Sequence, residues 1–380
     1  METGIILSWS DINPYDFYTE ALQNDPIFYD KEQGTWVVCS YSYCKEVLLN
    51  DNAKIPEPNA NNNSLSALSV LLIKKLVRLT NNEQHRASRQ AAEIIYKSMQ
   101  SISVSSILHS LVAEVRDGGT FDWVSVVCKK LPVLIVLKGL CFKDDECAYV
   151  LDNIQCLVKI MSPLNAIEDI DAVNRTVDVL ISIAQKHVTA SNYIKDVLQF
   201  HSGERMKLFV CNLIGLLIQS YDAGKGLLCN SLIQLCKNNG HIELREQDKN
   251  FFRQSVIETL RFDPPIHNTR RIADADILIG GKTIRKGEKI LIVLAAANLD
   301  PKIFASPLCY NISRVNNNDH LTFGLGGHMC LAKHLITDIT AETCRNFFYQ
   351  FRHIVIPEQV IRYEPQLNAR SIKELFVTIS

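Results

Sequence analysis

Residues 322–335 decide the fold, and they read Thr-Phe-Gly-Leu-Gly-Gly-His-Met-Cys-Leu-Ala-Lys-His-Leu. Three glycines, Gly324, Gly326 and Gly327, precede a single cysteine, Cys330. Glycine permits positive φ and lets the backbone approach a ligand closely. The residues that follow the cysteine begin an apolar helical pattern. We therefore expect Cys330 at the junction between a glycine loop and a helix N-terminus.

The position of Cys330 favours a metal ligand. Unpaired backbone N–H groups and the positive end of a helix dipole stabilise the thiolate over the thiol, and a thiolate is a strong ligand for soft metal ions. The alternative is a structural cysteine in a tight turn, which is a common role in a chain that has 12 cysteines. The residue types around Cys330 decide between the two interpretations.

The order Phe-Gly-x-Gly-x-His-x-Cys resembles the haem-binding signature of the cytochrome P450 family. The residues that match this signature are Phe323, Gly324, Gly326, His328 and Cys330. The family pattern continues with a glycine two residues after the cysteine, where this chain has the small residue Ala332. The resemblance implies that Cys330 is the axial ligand of haem b (iron protoporphyrin IX), whose thiolate favours cleavage of the O–O bond.

The composition is that of an ordinary soluble globular protein. The chain of 380 residues is 47% hydrophobic and 21% charged, with a formal net charge of −1. This charge argues against nucleic acid or an acidic membrane surface as the main partner. The cysteines form no CxxC pair, and the first residues contain neither a basic segment nor an apolar run long enough for a membrane anchor. These features predict a cytoplasmic protein.

A second match lies in residues 79–90, where His85 and Arg89 are four positions apart and share one face of a helix. Such a pair is commonly exposed to solvent. In the resembled family, however, a His-x-x-x-Arg pair at this place holds a haem propionate. Cationic donors beside a buried carboxylate are electrostatically favourable. The resemblance therefore implies a cofactor-binding role for both residues.

A long apolar run covers residues 208–236 and is interrupted by Gln219, Asp222 and Lys225. These polar interruptions indicate a buried helix rather than a membrane span. In the resembled family a long central helix crosses the haem and carries an Ala/Gly-Gly-x-Asp/Glu-Thr motif. An ungapped alignment puts Asp222 on the acid and Ala223 on the threonine.

A different register uses Ala223 and Gly224 as the small pair and puts Leu227 on the threonine. Neither register supplies an alcohol. The family's threonine hydroxyl helps to deliver the protons that break the O–O bond, and an alkyl side chain cannot do so. We prefer the register with Asp222 because it keeps an acid and a typical interval to the next motif.

That next motif is Glu-Thr-Leu-Arg at residues 258–261, followed by Phe-Asp-Pro-Pro. Glu258 and Arg261 lie three apart on one helix face. The arrangement resembles the family's Glu-x-x-Arg helix, in which the pair is a structural lock behind the haem and not a catalytic acid and base. The resemblance also implies that Arg271 is a further propionate partner, with Arg270 as the fallback.

The remaining pattern gives the fold class. Residues 26–39 suggest a β-hairpin, and residues 272–313 contain the clearest β region. Together with the helical segments, these features predict a mainly α protein with small β-sheets. The resemblance implies the cytochrome P450 fold as a single domain over residues 1–380, with the haem between a helix-rich part and a β-containing part.

The implied function is that of a haem-thiolate oxidoreductase. We expect a monooxygenase that hydroxylates or otherwise tailors a small organic molecule, with O2 and with electrons from a ferredoxin and its reductase. Bacterial relatives of this kind commonly act in secondary metabolism, on substrates that are free or bound to a carrier protein. We expect a monomer, and a relay of protons through Asp222.

Two alternatives follow from the missing alcohol. An atypical haem-thiolate enzyme could use peroxide directly, or finish its reaction by coupling, desaturation or cyclisation. A haem-containing binding module with little turnover is the alternative from a different class. The acid at Asp222 and the complete cysteine loop favour an enzyme over a binding module.

Overall fold

The computed structural model describes residues 13–57, 64–115, 119–162, 168–191, 203–238, 250–351 and 353–380. The contacts divide the chain into two compact units. Unit 1 comprises Met1–Lys54, Val104–Lys129 and Asp222–Ser380, and unit 2 comprises Ile55–Ser103 and Lys130–Tyr221. The protein is mainly helical with small β-sheets, so the fold class expected from the sequence is confirmed.

The α-helices of the described residues are α1 (Pro14–Asn24), α2 (Tyr41–Leu49), α3 (Ala67–Lys75), α4 (Asn82–Lys97), α5 (Val104–Val112), α6 (Leu131–Gly139), α7 (Asp144–Leu157), α8 (Ile170–Ala190), α9 (Gly203–Lys237), α10 (Phe251–Phe262), α11 (Leu294–Ala297) and α12 (Lys333–Gln350). Short 3₁₀ turns cover Val77–Leu79, Val158–Met161, Asn317–Asp319 and Gly326–His328, and a π turn covers Val124–Cys128.

The β-strands are β1 (Ile27–Asp30), β2 (Thr35–Val38), β3 (Ala53–Lys54), β4 (Thr120–Asp122), β5 (Thr269–Ala273), β6 (Ile277–Ile279), β7 (Lys282–Ile284), β8 (Lys289–Ile292), β9 (Ile354–Val355) and β10 (Phe376–Ile379). They all belong to unit 1.

Several helices begin where local chemistry favours a start. The Asn13 side chain accepts a hydrogen bond from the Tyr15 N–H at 3.3 Å, and Pro14 occupies the first turn of α1. Asp169 caps α8 in the same way, since its carboxylate accepts from the Ala172 N–H at 2.7 Å. These caps satisfy backbone donors that have no partner inside the helix.

Unit 2 is a helical layer around one apolar core. Helices α7 and α8 pack against each other along buried faces that include Ile154 and Val177. Helix α4 is polar overall, yet a stripe from His85 to Ile95 at helical spacing is buried. Because burial of this stripe stabilises α4, the helix does not depend on intrinsic propensity alone.

Unit 1 contains the sheets. Five strands pair in the order β1-β2-β8-β5-β3, and the hairpin of β1 and β2 matches the one expected from the sequence. Strand β2 runs parallel to β8, which in turn pairs antiparallel with β5. A three-stranded sheet has the order β4-β10-β9, and β6 pairs with β7. Strand β5 carries Arg271 opposite Ile290.

Helix α9 is 35 residues long, in agreement with the buried helix expected from the apolar run. Its residues up to Tyr221 belong to unit 2, and those from Asp222 onward belong to unit 1. Of the helices in the described residues, none combines the length and the apolarity that a bilayer span requires.

Candidate functional site

The glycine loop before Cys330 adopts the backbone conformation that its glycines permit. Gly324 and Gly326 have φ values of +67° and +69°, in the left-handed region. A Cβ at Gly326 would lie 3.3 Å from the Leu48 carbonyl oxygen, so a larger residue meets both strain and crowding. The Cys330 N–H donates to the Phe323 carbonyl at 2.9 Å, which closes the loop.

Cys330 is half-buried and follows the turn Gly326–His328, in which His328 is also half-buried. Helix α12 begins three residues later at Lys333, with Ala332 as its N-cap residue. The sequence therefore placed Cys330 correctly at a junction of loop and helix.

The loop is anchored from behind by the side chain of Asn298. Its Oδ1 accepts from the Leu321 N–H at 2.7 Å, and its Nδ2 donates to Thr322 Oγ1 at 2.8 Å. The Thr322 hydroxyl donates in turn to the Leu260 carbonyl at the end of α10, at 2.6 Å. All of these groups are buried. The start of the cysteine loop is thus fixed to α10 by hydrogen bonds.

Glu258 and Arg261 form a bidentate pair inside unit 1. The distances are 2.7 Å from Arg261 Nη2 to Glu258 Oε1 and 3.0 Å from Nε to Oε2, and both side chains are 0% exposed. Arg261 Nη1 also donates to the carbonyls of Asn298 and Pro307, at 3.1 and 2.9 Å. Because the pair connects α10 to the segment before the cysteine loop, its geometry is that of a structural lock.

The sequence reasoning missed Arg314, the third member of this lock. Its Nε donates to Glu258 Oε1 at 3.3 Å, and its Nη2 donates to the carbonyls of Ser306 and Cys309 at 3.3 and 3.0 Å. Arg314 is the only arginine between Arg285 and Arg345. A single arginine in a long polar loop is a sequence signal that could have indicated a structural role for Arg314.

Arg271 lies on β5 with 4% of its side chain exposed. Its Nη1 donates to the Arg270 carbonyl at 2.8 Å and to Thr269 Oγ1 at 3.1 Å. Within the described ranges, no carboxylate lies within ion-pair distance of it. Burial lowers the pKa of Arg271 to about 10. A buried cation without an acid partner among those residues suits the binding of a carboxylate from a ligand.

Arg270, the fallback, is less buried than Arg271. Burial lowers its pKa as well. Successive residues of a strand point to opposite faces, so at most one of the two arginines belongs to a given site on β5. Arg271 is the more deeply buried of the two, and its role as a propionate partner stays a prediction.

His85 and Arg89 lie on α4 in unit 2. The His85 ring is buried, and its Nδ1 lies 3.0 Å from the Val77 carbonyl, which fixes Nδ1 as a donor. Arg89 Nε donates to Glu93 Oε1 at 2.8 Å, one turn further along the helix. Arg89 therefore has an acid partner within its own helix, which the sequence reasoning did not consider.

Asp222 and Ala223 are both half-buried on α9. Asp222 Oδ1 accepts from Gln366 Nε2 at 3.1 Å and lies 3.7 Å from the ammonium of Lys225. That ammonium donates to Glu364 Oε2 at 2.8 Å. Asp222 is therefore tied to a polar network, of which Lys225 and Glu364 were not recognised from the sequence as parts.

The other register of the central motif puts Gly226 and Leu227 at the acid and threonine positions. Gly226 packs so closely that a Cβ there would lie 2.7 Å from the Cβ of Pro265. Leu227 is 1% exposed and belongs to an apolar cluster with Phe323 at its edge. Neither position holds a polar side chain.

The donor set fits a haem. Among the described residues there is no group of three or more His, Cys, Asp or Glu that could hold a metal ion. A haem needs only one axial ligand from the protein because its porphyrin supplies four nitrogen ligands. The half-buried Cys330 and the buried Arg271 are suited to the iron and to a propionate respectively.

Comparison with known proteins agrees with this geometry. The model of the cytochrome P450 family matches residues 245–365. Cytochrome P450 119 of Sulfolobus acidocaldarius is 26% identical over 364 residues, covering 90% of this chain and 93% of that protein. The alignment therefore extends well beyond the matched segment and includes helix α4 and the central helix α9.

Solved structures show the same fold. P450BioI, crystallised in complex with an acyl carrier protein ligated to hexadec-9Z-enoic acid, superposes with a TM-score of 0.84 at 21% identity, covering 97% of this chain and 98% of its own. CalO2 gives a TM-score of 0.86 at 15% identity over 100% of this chain and 98% of its own. With the family match and the cysteine loop, these findings show that the chain has the cytochrome P450 fold and is similar in sequence to the haem-thiolate monooxygenases of the cytochrome P450 family.

Proposed function

We propose that the protein is a monooxygenase in which Cys330 ligates the iron of haem b and oxygen is inserted into a small organic substrate. The observation that carries this proposal is the closed glycine loop that holds Cys330 at the start of α12. When bound, the haem supplies the activation of O2 that protein side chains cannot provide. Residues of this chain would hold the thiolate, neutralise the carboxylates of the cofactor and move protons.

The first task of these residues is to hold the thiolate. The Asn298 and Thr322 hydrogen bonds fix the loop to α10. Backbone N–H groups that follow a ligating cysteine donate to its sulfur and temper its electron donation. Arg261 of the Glu258–Arg261 lock also donates to the Asn298 carbonyl. The lock and Asn298 therefore support the position of Cys330 through the loop backbone.

The second task is to neutralise the carboxylates of the cofactor. We propose Arg271 as a propionate partner, since its guanidinium is buried and has no described acid beside it. We propose His85 as another, through its ring nitrogen Nε2, because Nδ1 already donates to the Val77 carbonyl. Arg89 is paired with Glu93, so a propionate would have to compete with the Glu93 carboxylate for its guanidinium.

The third task is to move protons. We propose that Asp222 is the acid that relays protons. Its carboxylate accepts a hydrogen bond from Gln366 and can take protons from solvent, since 31% of its side chain is exposed. Ala223 supplies no hydroxyl. A substrate hydroxyl or an ordered water then bridges Asp222 and the reacting oxygen.

The absence of an alcohol supports a second candidate reaction. Neither Ala223 nor Leu227 can donate a proton, and this favours direct use of hydrogen peroxide, or an outcome such as coupling, desaturation or cyclisation. Turnover with peroxide in the absence of a reductase would favour this candidate over the first. A strict need for an electron donor would exclude peroxide use.

The substrate class and partners are also proposals. The structural neighbour P450BioI was crystallised with an acyl chain on a carrier protein, and we propose a small organic substrate that is either free or carrier-bound, in secondary metabolism. We propose a ferredoxin and its reductase as electron donors to a cytoplasmic monomer. Residues 1–380 form a single domain in this proposal, because the structures of P450BioI and CalO2 cover 97% and 100% of this chain.

The test is the absorption spectrum of the reduced protein under carbon monoxide. We expect a strongly red-shifted Soret band that is characteristic of thiolate ligation, and we expect Cys330→Ser to lose it. Cys309→Ser is the matched control because Cys309 is an exposed cysteine of the same unit. A wild-type protein without this band, or a Cys330→Ser variant that keeps it, would overturn the assignment of Cys330.

A further inference from the structure

The central helix α9 contains a fully buried lysine. The Lys225 side chain is 0% exposed, although lysine is among the residue types that are least often buried. Moving an ammonium group out of water is strongly unfavourable unless acids and hydrogen bonds compensate for the lost hydration. The ammonium of Lys225 must therefore be compensated by acidic and hydrogen-bonding groups around it.

Two acids and one amide surround the ammonium. Lys225 Nζ lies 2.8 Å from Glu364 Oε2 and 3.7 Å from Asp222 Oδ1. Gln366 Nε2 bridges the same two carboxylates, at 3.3 Å from Glu364 Oε2 and 3.1 Å from Asp222 Oδ1. The four side chains form one closed network, in which a single cation lies between two anions.

The network joins α9 to a hairpin near the end of the chain. We define the C-terminal hairpin as residues 363–372, whose arms meet through the bridge of Tyr363 with Ile372. The Glu364 N–H donates to the Ser371 carbonyl at 2.8 Å, which closes the hairpin above its tip. Glu364 and Gln366 thus belong to one arm of this hairpin, while Asp222 and Lys225 belong to the helix.

The tip of the C-terminal hairpin pairs with residues 265–268, which lead directly into β5. The bridge of Ile266 with Ala369 and the hydrogen bond from the His267 N–H to the Asn368 carbonyl at 2.9 Å make this pairing. Strand β5 carries Arg271, the proposed partner of a propionate. Hence the hairpin lies between the proton-relay residue and the strand that carries the anion-binding arginine.

The backbone contacts show how little room this packing leaves. Gly226 follows Lys225 on α9, and a Cβ there would lie 2.7 Å from the Cβ of Pro265 and 3.9 Å from the Arg370 carbonyl. The helix therefore packs tightly against the segment before β5 at this point, with the backbone of the hairpin beside it.

We propose that Lys225 is a positioning residue that holds Asp222 and the C-terminal hairpin in a fixed relation. This inference rests on the proposed function, because Asp222 matters through its proposed role as the proton relay. The ammonium attracts both carboxylates at once. Without it, Glu364 and Asp222 are two like charges linked through Gln366, and their repulsion moves the hairpin arm away from α9.

Hydrogen exchange measured by mass spectrometry tests this in the purified holoprotein. In Lys225→Met and in Glu364→Gln we expect amides of residues 363–372 to exchange about tenfold faster, since local opening then lacks the ion pair that opposes it. Amides of α10 should be unchanged. The matched control is Lys282→Met, which removes a half-exposed lysine paired with Asp25 and should leave exchange of the hairpin at the wild-type rate.

The conservative variant Lys225→Arg separates the role of the charge from simple packing. It keeps a cation between Asp222 and Glu364, and we expect it to retain most of the protection that Lys225→Met loses. Hairpin exchange at the wild-type rate in Lys225→Met, faster exchange throughout the protein, or no more protection in Lys225→Arg than in Lys225→Met would each overturn the proposal. The carbon monoxide band of the same samples reports the haem thiolate separately, so failure of the proposed function is distinguishable.

Discussion

Two arginines that lie ten positions apart, Arg261 and Arg271, are both buried in unit 1, but their charges are compensated differently. Arg261 makes a bidentate pair with Glu258 and donates to three backbone carbonyls. Arg271 has only a backbone carbonyl and a threonine hydroxyl among its hydrogen-bond acceptors in the described residues.

The difference separates a structural charge from one available to a ligand. Arg261 is satisfied by the chain itself, so it contributes to holding α10 and the cysteine loop together. Burial lowers the pKa of Arg271 to about 10, which still leaves the guanidinium protonated at neutral pH. The energy lost by burying this charge is recovered when a carboxylate binds to it.

The largest expected effect comes from breaking the Arg261 side of this comparison. Glu258→Gln leaves two buried arginines, Arg261 and Arg314, without their acid, and removal of one partner from a buried pair costs about 3–5 kcal/mol of stability. Urea unfolding at neutral pH measures the change. The exposed acid Glu83, paired with Arg86, provides the control, since Glu83→Gln should change stability by about 1 kcal/mol or less. If Glu258→Gln lost no more stability than the control Glu83→Gln, the structural role assigned to the Glu258–Arg261 lock would be contradicted.

A smaller effect is expected when the Arg271 side is broken. Arg271→Met removes a buried charge that lacks an acid, so the apoprotein should be as stable as wild type or more stable. Haem retention should fall by about tenfold to a hundredfold, as expected for the loss of a charged hydrogen bond. Transfer of haem to apomyoglobin measures this. Arg285→Met is the control because Arg285 is largely exposed and paired with Asp276. Unchanged haem retention in Arg271→Met would exclude Arg271 as a propionate partner.

His267 sharpens the comparison, because it is a buried base that is kept neutral. Burial, with a smaller contribution from Arg370, lowers the pKa of His267 to about 3, while Tyr18 hydrogen-bonds its Nδ1 at 2.8 Å. The unfolded chain binds a proton near pH 6.5 and the folded chain does not, so stability is complete above that pH and falls as the pH decreases towards 3.

At pH 5.5 this histidine should reduce stability by about 1.4 kcal/mol relative to pH 7.5, the difference between its folded and unfolded titrations. Urea unfolding at the two pH values measures the loss. His267→Gln should reduce the pH dependence by that amount, whereas replacement of the exposed His334 by Gln should not. An equal pH dependence in wild type and His267→Gln would show that His267 is charged or accessible in the folded protein.

The sequence predicted the parts of the site that depend on local spacing. Cys330 lies three residues after Gly327, and Glu258 and Arg261 are one helical turn apart, so their geometry is encoded within a few residues. The contacts of Arg314 and of Lys225 were not predictable in this way. Lys225 meets Glu364 across 139 residues, and no local periodicity specifies such a pairing. In the sequence, Lys225 was only an interruption of an apolar run.

The topology of the five-stranded sheet has a consequence for how the protein is made. Strand β2 pairs in parallel with β8, with Thr35 opposite Lys289. The five-stranded sheet therefore cannot form until Lys289 has been synthesised. Strand β5, which lies between β8 and β3, is completed in the same late step. Contacts this distant in sequence form slowly. On the ribosome, the nascent chain therefore cannot present its buried arginine to a cofactor until most of the polypeptide has emerged.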